Sequence, residues 1–386
     1  MEIKDWKNMY WDQVRKRKEG VRILDHSTNE NDYKYLLDEN IILKKQDLLG
    51  FNGNVNLNLG LPEQTGINGS FNLRNNKINF FNTTSIKHGS GNGYSYSDTN
   101  YSNLIIDERT DWNRDDYNFF TTLGIEYNID DKASIILSGV FKTGVDKSNS
   151  INIVKDISSG GTSSINDRLR DEREDELSRE FAIDFFKDFD DKGHTISARV
   201  SFETNNDDGI EDIEDFSSFP NISESSFEKV SNLDEQNRFL AQLDYVYPID
   251  ESTQFEIGYR GRKVDRITDY DVSYLENSSY ETDLGLSNIF AYEEYVNAFY
   301  SQYGKKVDKF SFLLGLRYED SKQEIDQRTT NQFEIKRYSD WFPTLNLSYE
   351  FSKMESITFG YSKRIQRPRG WNINPFPRRN SVTSLW

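Results

Sequence analysis

The sequence predicts an all-β protein, an antiparallel up-and-down transmembrane β-barrel that is incomplete. Three observations predict it: apolar and polar residues alternate, charges are confined to the polar parity, and connections alternate between short and long. The alternation is clearest at residues 51–59, where every even position is Asn and the odd positions are Phe, Gly, Val, Leu and Leu. Strand side chains point alternately to opposite faces, so one face meets lipid and the other meets a wet interior.

Composition agrees with membrane-crossing strands. The chain has 386 residues, of which 35% are apolar and 29% charged, and no run approaches the ~20 apolar residues that a spanning helix needs. A barrel strand needs only about 9–11 residues, half of them apolar. The 22 Tyr and 26 Phe suit the aromatic girdles at the two membrane interfaces.

Several classes of partner and site are disfavoured. The net charge of −18 argues against nucleic acid, which requires clustered cations. No cysteine is present, so disulfides and thiolate metal sites are excluded. We expect no cofactor and no metal. The start MEIKDWKNMY lacks the features of a secretory signal, so we expect a processed N-terminus or a fragment.

Template matching gives about 13 strands. Their apolar residues fall within 55–59, 67–73, 78–86, 117–127, 135–141, 181–185, 196–202, 239–247, 255–259, 291–304, 310–318, 345–351 and 357–361, of which 291–304 is the least clear. Before residue 41 the spacing of Trp6, Met9, Tyr10 and Val14 predicts a short amphipathic helix instead.

Charged residues identify the face that meets lipid. An outward Arg or Lys at the bilayer midplane costs ~2–4 kcal/mol, so the charged parity must face inward. Lys187 breaks the rule, but it lies near a strand end, where its stem can snorkel. The residues predicted to face inward are Arg74, Arg199, Glu203, Asp244, Glu256, Arg260, Arg317 and Glu350.

The connections predict the orientation. Short turns are expected at 75–76, 130–132, 190–193, 248–252, 305–306 and 353–354. Long polar loops are expected at 88–114, 147–176, 205–235 and 270–290. Outer-membrane barrels have short periplasmic turns and longer extracellular loops, so the short turns mark the periplasmic rim.

Two motifs carry a family resemblance. Residues 41–45 (IILKK) with 50–53 (GFNG) resemble the junction between the plug and the first barrel strand of TonB-dependent receptors. Residues 361–368 (YSKRIQRP) with 371–377 (WNINPFP) resemble the mid-barrel motif of the outer-membrane β-barrel family of such receptors in Bacteroidota. The resemblance implies ligand uptake through a plugged barrel of 22 strands, energised by the inner-membrane TonB complex.

The chain departs from that family in ways that predict a fragment. About 13 strands fall short of 22, and residues 1–40 do not read as a plug. We therefore expect a non-barrel segment at 1–40, a plug-to-barrel junction at 41–50 and a partial barrel at 51–386. Unpaired strand edges in hydrocarbon are costly, so the chain should either aggregate or form an open sheet.

The expected ligand is a scarce small molecule such as a siderophore, glycan or peptide. Tyr94, Tyr96, Tyr101 and Trp112 are weak candidates for stacking on it, although aromatic residues are also ordinary at the membrane interface. The acidic residues between 207 and 215 have the oxygen ligands that calcium prefers, but their spacing lacks the EF-hand pattern. A solvated loop is the better explanation.

Other functions remain as alternatives. The second hypothesis is a non-energised outer-membrane channel or surface-binding barrel, and the third is a soluble β-rich binding protein. An enzyme is disfavoured because only His26, His88 and His194 could serve as a histidine base. His26 precedes the barrel, His194 follows a tight turn on the predicted periplasmic rim, and no evident acid partner lies close to His88 in sequence.

Overall fold

The computed structural model describes residues 50–352, 355–367 and Ile373. The predicted N-terminal helix, the junction before Gly50 and most of the motif after Arg367 lie outside the described residues. Within the described residues, no helix is long and apolar enough to cross a membrane.

Strands account for almost all of the described chain. They are β1 (Gly50–Gly60), β2 (Gln64–Arg74), β3 (Ile78–Asn100), β4 (Leu104–Asp130), β5 (Ala133–Ser158), β6 (Gly161–Asp188), β7 (Thr195–Phe219), β8 (Ser226–Asp250), β9 (Thr253–Glu276), β10 (Ser279–Thr282), β11 (Asn288–Val307), β12 (Phe310–Gln327), β13 (Gln332–Ser352) and β14 (Glu355–Ser362).

The strands form one antiparallel, up-and-down sheet. Its order is β1 to β9 followed by β11 to β14, and the short β10 pairs with β9 outside this path. The thirteen strands on the path confirm the predicted number of about 13. The path begins at β1 and ends at β14 without closing, so the expected open sheet, an incomplete barrel, is also confirmed.

The apolar parity faces outward, as predicted. Directly opposed residues of antiparallel strands share a face, and the register aligns the predicted apolar sets of neighbouring strands, for example Phe359 with Leu347 and Leu347 with Phe312. Many of these side chains are exposed, including Phe181 at 65%. Ten residues separate Trp341 from Phe351, the outermost aromatics of the belt on β13. At ~3.3 Å per residue and a tilt of ~40° they span about 25 Å, the height of a lipid-facing belt.

The inner face carries the charges, which pair with one another across strands. Arg199 lies 2.8 Å from Glu180, and Lys306 lies 2.8 Å from Glu350. Burying such groups unpaired would be costly, and pairing across the ladder removes much of that cost. Lys187 faces outward near the end of β6, with its Nζ 3.9 Å from Asp130, so the expected exception is also found at a strand end.

The predicted short turns that fall on described residues lie at one rim, and the turn at 353–354 lies outside the described residues. The predicted long loops are wrong. Residues 88–100 and 104–114 belong to β3 and β4, and only 101–103 connect them. The regions 147–176, 205–235 and 270–290 are likewise mostly strand. The predicted turn at 305–306 lies instead at 308–309. Above the lipid both faces of the sheet meet water, so the hydrogen-bonded ladder continues without the apolar alternation that would signal it.

Candidate ligand chamber beyond the apolar belt

A chamber of about 1080 Å³ lies against the parts of β3 to β8 that extend beyond the apolar belt. Trp112 of β4 points inward and lies across β3 at Gly93, its partner in the register. A Cβ at Gly93 would lie 2.8 Å from the indole ring, so only glycine permits this close approach. The chamber is lined by residues of both parities. The inward ones include Trp112, Ser150, Arg170, Ile213 and Glu228, and the more numerous outward ones include Ile151, Leu169, Asp212 and Phe227.

Ion pairs form the charged part of the chamber wall. Arg170 on β6 pairs with Glu211 on β7 at 3.3 Å. One step further from the membrane, Arg168 is only 2% exposed and contacts Asp215 at 2.8 Å and Glu228 at 3.4 Å. Both pairs lie far above the outward belt, so they form part of an extracellular wall.

An apolar cluster of Ile213, Val230 and Val272 adjoins this wall, and Leu286 packs against it. The turn that carries Leu286 is tied to β9, because the backbone N–H of Val272 donates to the Ser287 Oγ at 2.9 Å. The hairpin before this turn brings Tyr280 of β10 to the outward side of the chamber, where the Lys229 Nζ lies 5.9 Å from its ring centroid. The chamber therefore combines aromatic, apolar and charged surfaces.

The structure separates the four predicted aromatic candidates. Trp112 and Tyr94 both line the chamber. Trp112 lies on the inward parity, and Tyr94 lies on the outward parity, 5.3 Å from the Arg109 guanidinium. Tyr96 also lies on the outward parity, and its hydrogen bond to Asp98 raises the pKa of its hydroxyl to about 12. Tyr101 lies at the tip of the β3–β4 hairpin.

Sequence reasoning missed Arg170, Glu228 and Tyr280 as chamber residues. Extending the parity of the membrane-level strands upward would have placed Arg170 and Glu228 on the inner face. No pattern in the sequence marks Tyr280, because its position depends on the four-residue strand β10.

The predicted acidic loop is a strand, so its carboxylates divide between two faces. Asp207, Glu211 and Asp215 face inward, whereas Asp208 and Asp212 face outward. In the described part of the chain, no three His, Cys, Asp or Glu side chains form a group suited to a metal ion. The two described histidines lie on the outer face or the rim: His88 stacks on Tyr117 at 4.3 Å, and His194 contacts the Tyr245 hydroxyl at 2.8 Å.

Asp207 lies in a row of inward carboxylates beyond the apolar belt. The register places it between Glu176 and Asp234, which pair with Lys142 and Arg266 respectively. No salt bridge reaches Asp207 from any described residue. Burial raises the pKa of the Asp207 carboxyl to about 6, and the two flanking carboxylates act in the same direction.

We expect the raised pKa of Asp207 to make the folded chain less stable as pH rises from about 4 to about 6. Over that range the unfolded carboxyl ionises while the folded one still holds its proton, and above it both are ionised. Asp207→Asn should remove this loss, so that its urea midpoint exceeds that of the wild type at pH 7. Asp208→Asn, which alters the outward neighbour, is the matched control. If the urea midpoints of the wild type and Asp207→Asn changed with pH in the same way, the raised pKa of Asp207 would be contradicted.

The segment after β14 reaches the inner wall. The Arg367 guanidinium contacts Glu319, donates to the Ser321 Oγ at 3.0 Å and donates to the Tyr338 hydroxyl at 3.1 Å. Ile373 packs against a buried cluster of Phe290, Tyr292 and Ile325, which lies on the inner face of β11 and β12. Described parts of the second motif therefore contact the interior of the wall.

Comparison with known proteins places the chain in a family. Residues 187–385 match the outer membrane protein beta-barrel family. No curated protein matches the chain. Among solved structures, FpvA of P. aeruginosa bound to heterologous pyoverdines matches with 10% identity and a TM-score of 0.25, covering 82% of this chain and 68% of that one.

Two further solved structures match at a similar level. The outer membrane protease OmpT from Escherichia coli has 10% identity and a TM-score of 0.24, covering 74% of this chain and 97% of that one. The ferric yersiniabactin uptake receptor FyuA from Yersinia pestis has 7% identity and a TM-score of 0.24, with coverages of 83% and 69%. Such low TM-scores carry no argument about function. The family match spans more than half of the chain, which therefore belongs to the outer membrane protein beta-barrel family and resides in the outer membrane.

Proposed function

We propose that the chain forms part of the wall of a TonB-dependent receptor, which captures a small ligand at its extracellular end and imports it. The observation that carries this proposal is the inner face of the wall beyond the lipid-facing belt, where the register aligns Trp112, Ser150 and Arg170 on three neighbouring strands. A wall that only separated lipid from water would not need strands of 25 to 28 residues, such as those of β4 to β8. The two motif resemblances support the energised form of uptake.

The chamber suits a ligand with a flat ring and polar substituents. The Trp112 indole offers a stacking surface, because aromatic faces pack well against rings. Arg170, which is only partly buried, supplies hydrogen-bond donors on the same inner face. A siderophore or an oligosaccharide fits this description. In the same proposal, residues 1–40 are a non-barrel segment, 41–50 join a plug to the barrel, and 51–386 belong to the barrel.

We expect deletion of the gene that encodes this chain to abolish growth of its bacterium on one limiting ferric siderophore or oligosaccharide. Loss of the inner-membrane TonB complex should abolish the same growth. Trp112→Ala should weaken ligand capture by about tenfold, since losing one stacked aromatic costs ~1–3 kcal/mol in comparable recognition. Binding of labelled ligand to whole cells measures this, and Tyr96→Ala, on the outward parity, is the matched control.

Uptake that persists without the TonB complex would support a non-energised channel instead. Equal binding by the Trp112→Ala and Tyr96→Ala variants would remove the chamber from ligand capture while leaving energised uptake intact. The two measurements therefore test the mechanism and the site separately.

A further inference from the structure

The outward residues that line the chamber form a surface of their own, the outer groove, on the outer face of the wall. Successive side chains of a strand point to opposite faces, so these residues lie across the sheet from Trp112 and Arg170. On β3 to β7 they form two rows, which are separated by one inward residue on each strand. Two such positions are about 7 Å apart along a strand, so a narrow groove runs between the rows.

One side of the outer groove is an unbroken row of hydrogen-bonding side chains. The register places five exposed residues opposite one another on neighbouring strands, in the order Asn92, Asn113, Asn149, Asp171 and Asp212. No described residue forms a hydrogen bond with the side chains of the three asparagines. An amide group has both donors and an acceptor, and a carboxylate has two acceptor oxygens, so this row can bind several hydroxyl groups of a ligand.

The other side of the outer groove carries exposed apolar and aromatic side chains. Tyr94 on β3, Ile151 on β5 and Phe227 on β8 lie along it, and Tyr280 of β10 adds a second tyrosine ring beside β8. Between β3 and β8 the row crosses five interstrand steps, which correspond to about 24 Å. Exposed apolar surface bordered by polar residues is typical of a binding site.

The outer groove is acidic, and cations at its margins compensate part of that charge. Its charged lining residues are all carboxylates, namely Asp111, Asp171, Asp212 and Glu214. Arg109 lies 2.7 Å from Asp111, and Lys229 lies 3.5 Å from Asp212. The remaining carboxylates would repel an anionic ligand, whereas Arg109 and Lys229 already hold positions that the cations of a basic ligand would take. The charges therefore favour an uncharged ligand.

The groove lies on the face of a sheet, where the backbone groups already pair with neighbouring strands. An extended peptide therefore has no strand edge to join there, and an amphipathic helix would meet the polar row. A glycan can be recognised by side chains alone, because its hydroxyl groups bind amides and carboxylates while the apolar faces of its rings pack on aromatic rings. We propose that the outer groove binds an uncharged glycan chain. The inference depends on the outward parity of these residues and not on ligand uptake at the inner face.

The test measures glycan binding to the full chain folded in phospholipid vesicles, by isothermal titration calorimetry. The uncharged probes are maltohexaose, mannohexaose and xylohexaose, and the charged probes are hexagalacturonate and hexalysine. We expect at least one uncharged hexasaccharide to bind the wild type, and both charged probes to bind at least tenfold more weakly than it does. Tyr94→Ala with Tyr280→Ala should weaken glycan binding at least tenfold. Tyr96→Ala with Tyr101→Ala, the matched control, removes two exposed tyrosines outside the groove and should bind like the wild type.

Three outcomes would overturn the proposal. The first is that no uncharged hexasaccharide binds the wild type, and the second is that hexalysine binds more tightly than the glycans, which would indicate a basic peptide as the ligand. The third is an equal loss of glycan binding in the two double variants, which would place the glycan elsewhere on the chain. The first two outcomes are decided on the wild type alone, so they do not depend on the folding of a variant. Uptake by whole cells tests the inner face separately, so either proposal can fail while the other stands.

Discussion

Arg168→Met should destabilise the folded chain by about 3–5 kcal/mol, the range measured when one partner of a buried ion pair is removed. The Arg168 side chain is 2% exposed and contacts Glu228, which is 3% exposed. Met has a similar volume but no charge, so the Glu228 carboxylate would stay buried without its cation. Asp215 would lose its 2.8 Å contact as well. Urea unfolding of the chain folded in phospholipid vesicles measures the change.

Two further variants separate charge from packing at Arg168. Arg173→Met removes a cation from the same strand, but Arg173 is 55% exposed and pairs with an exposed Asp175, so no measurable change is expected. Combining Arg168→Met with Glu228→Gln and Asp215→Asn removes the two carboxylates that would otherwise lack a cation, and it should recover much of the lost stability. An Arg168→Met variant as stable as Arg173→Met would mean that this cluster contributes nothing to holding β6, β7 and β8 together.

The part of the wall within the membrane was predictable from sequence, because lipid requires apolar side chains on the outward parity and so confines the charged side chains to the inward parity. Leu314 and Leu316 face outward while Arg317 faces inward, since an outward cation at that depth is costly. The same rule identified Lys187 as an exception near a strand end. About 13 strands and their short turns follow from this single constraint.

The extracellular wall was not predictable in the same way. Arg170 and Glu211 form an ion pair on the inward face, whereas Arg173 and Asp175 form one on the outward face. Both pairs consist of an arginine and a carboxylate, so residue type does not distinguish the two faces. With water on both faces, no energetic penalty sorts the residues, so their parity carries no signal. The assignment of 205–235 as a loop was wrong for this reason.

Leu314→Arg should cost about 2–4 kcal/mol of folding free energy, the range for Arg at the midplane of an outer-membrane barrel. Leu314 lies on the outward face of β12, midway between Phe310 and Tyr318, and is 48% exposed. Its neighbours across the register, Tyr303 and Leu345, are also outward, so an Arg side chain there has no nearby carboxylate and must reach past the belt to water.

Ile335→Arg is the matched control because it places the same side chain on the outward face of β13, six residues beyond Trp341. Ile335 is 46% exposed and lies opposite Glu324 in the register, so the new cation would meet water and a carboxylate. Near or beyond the interface the cost falls to about 0–1 kcal/mol. Urea unfolding in phospholipid vesicles should therefore separate the two variants. If they unfolded at the same urea concentration, depth along the strand would not matter, and the outward parity could not be the face that meets lipid.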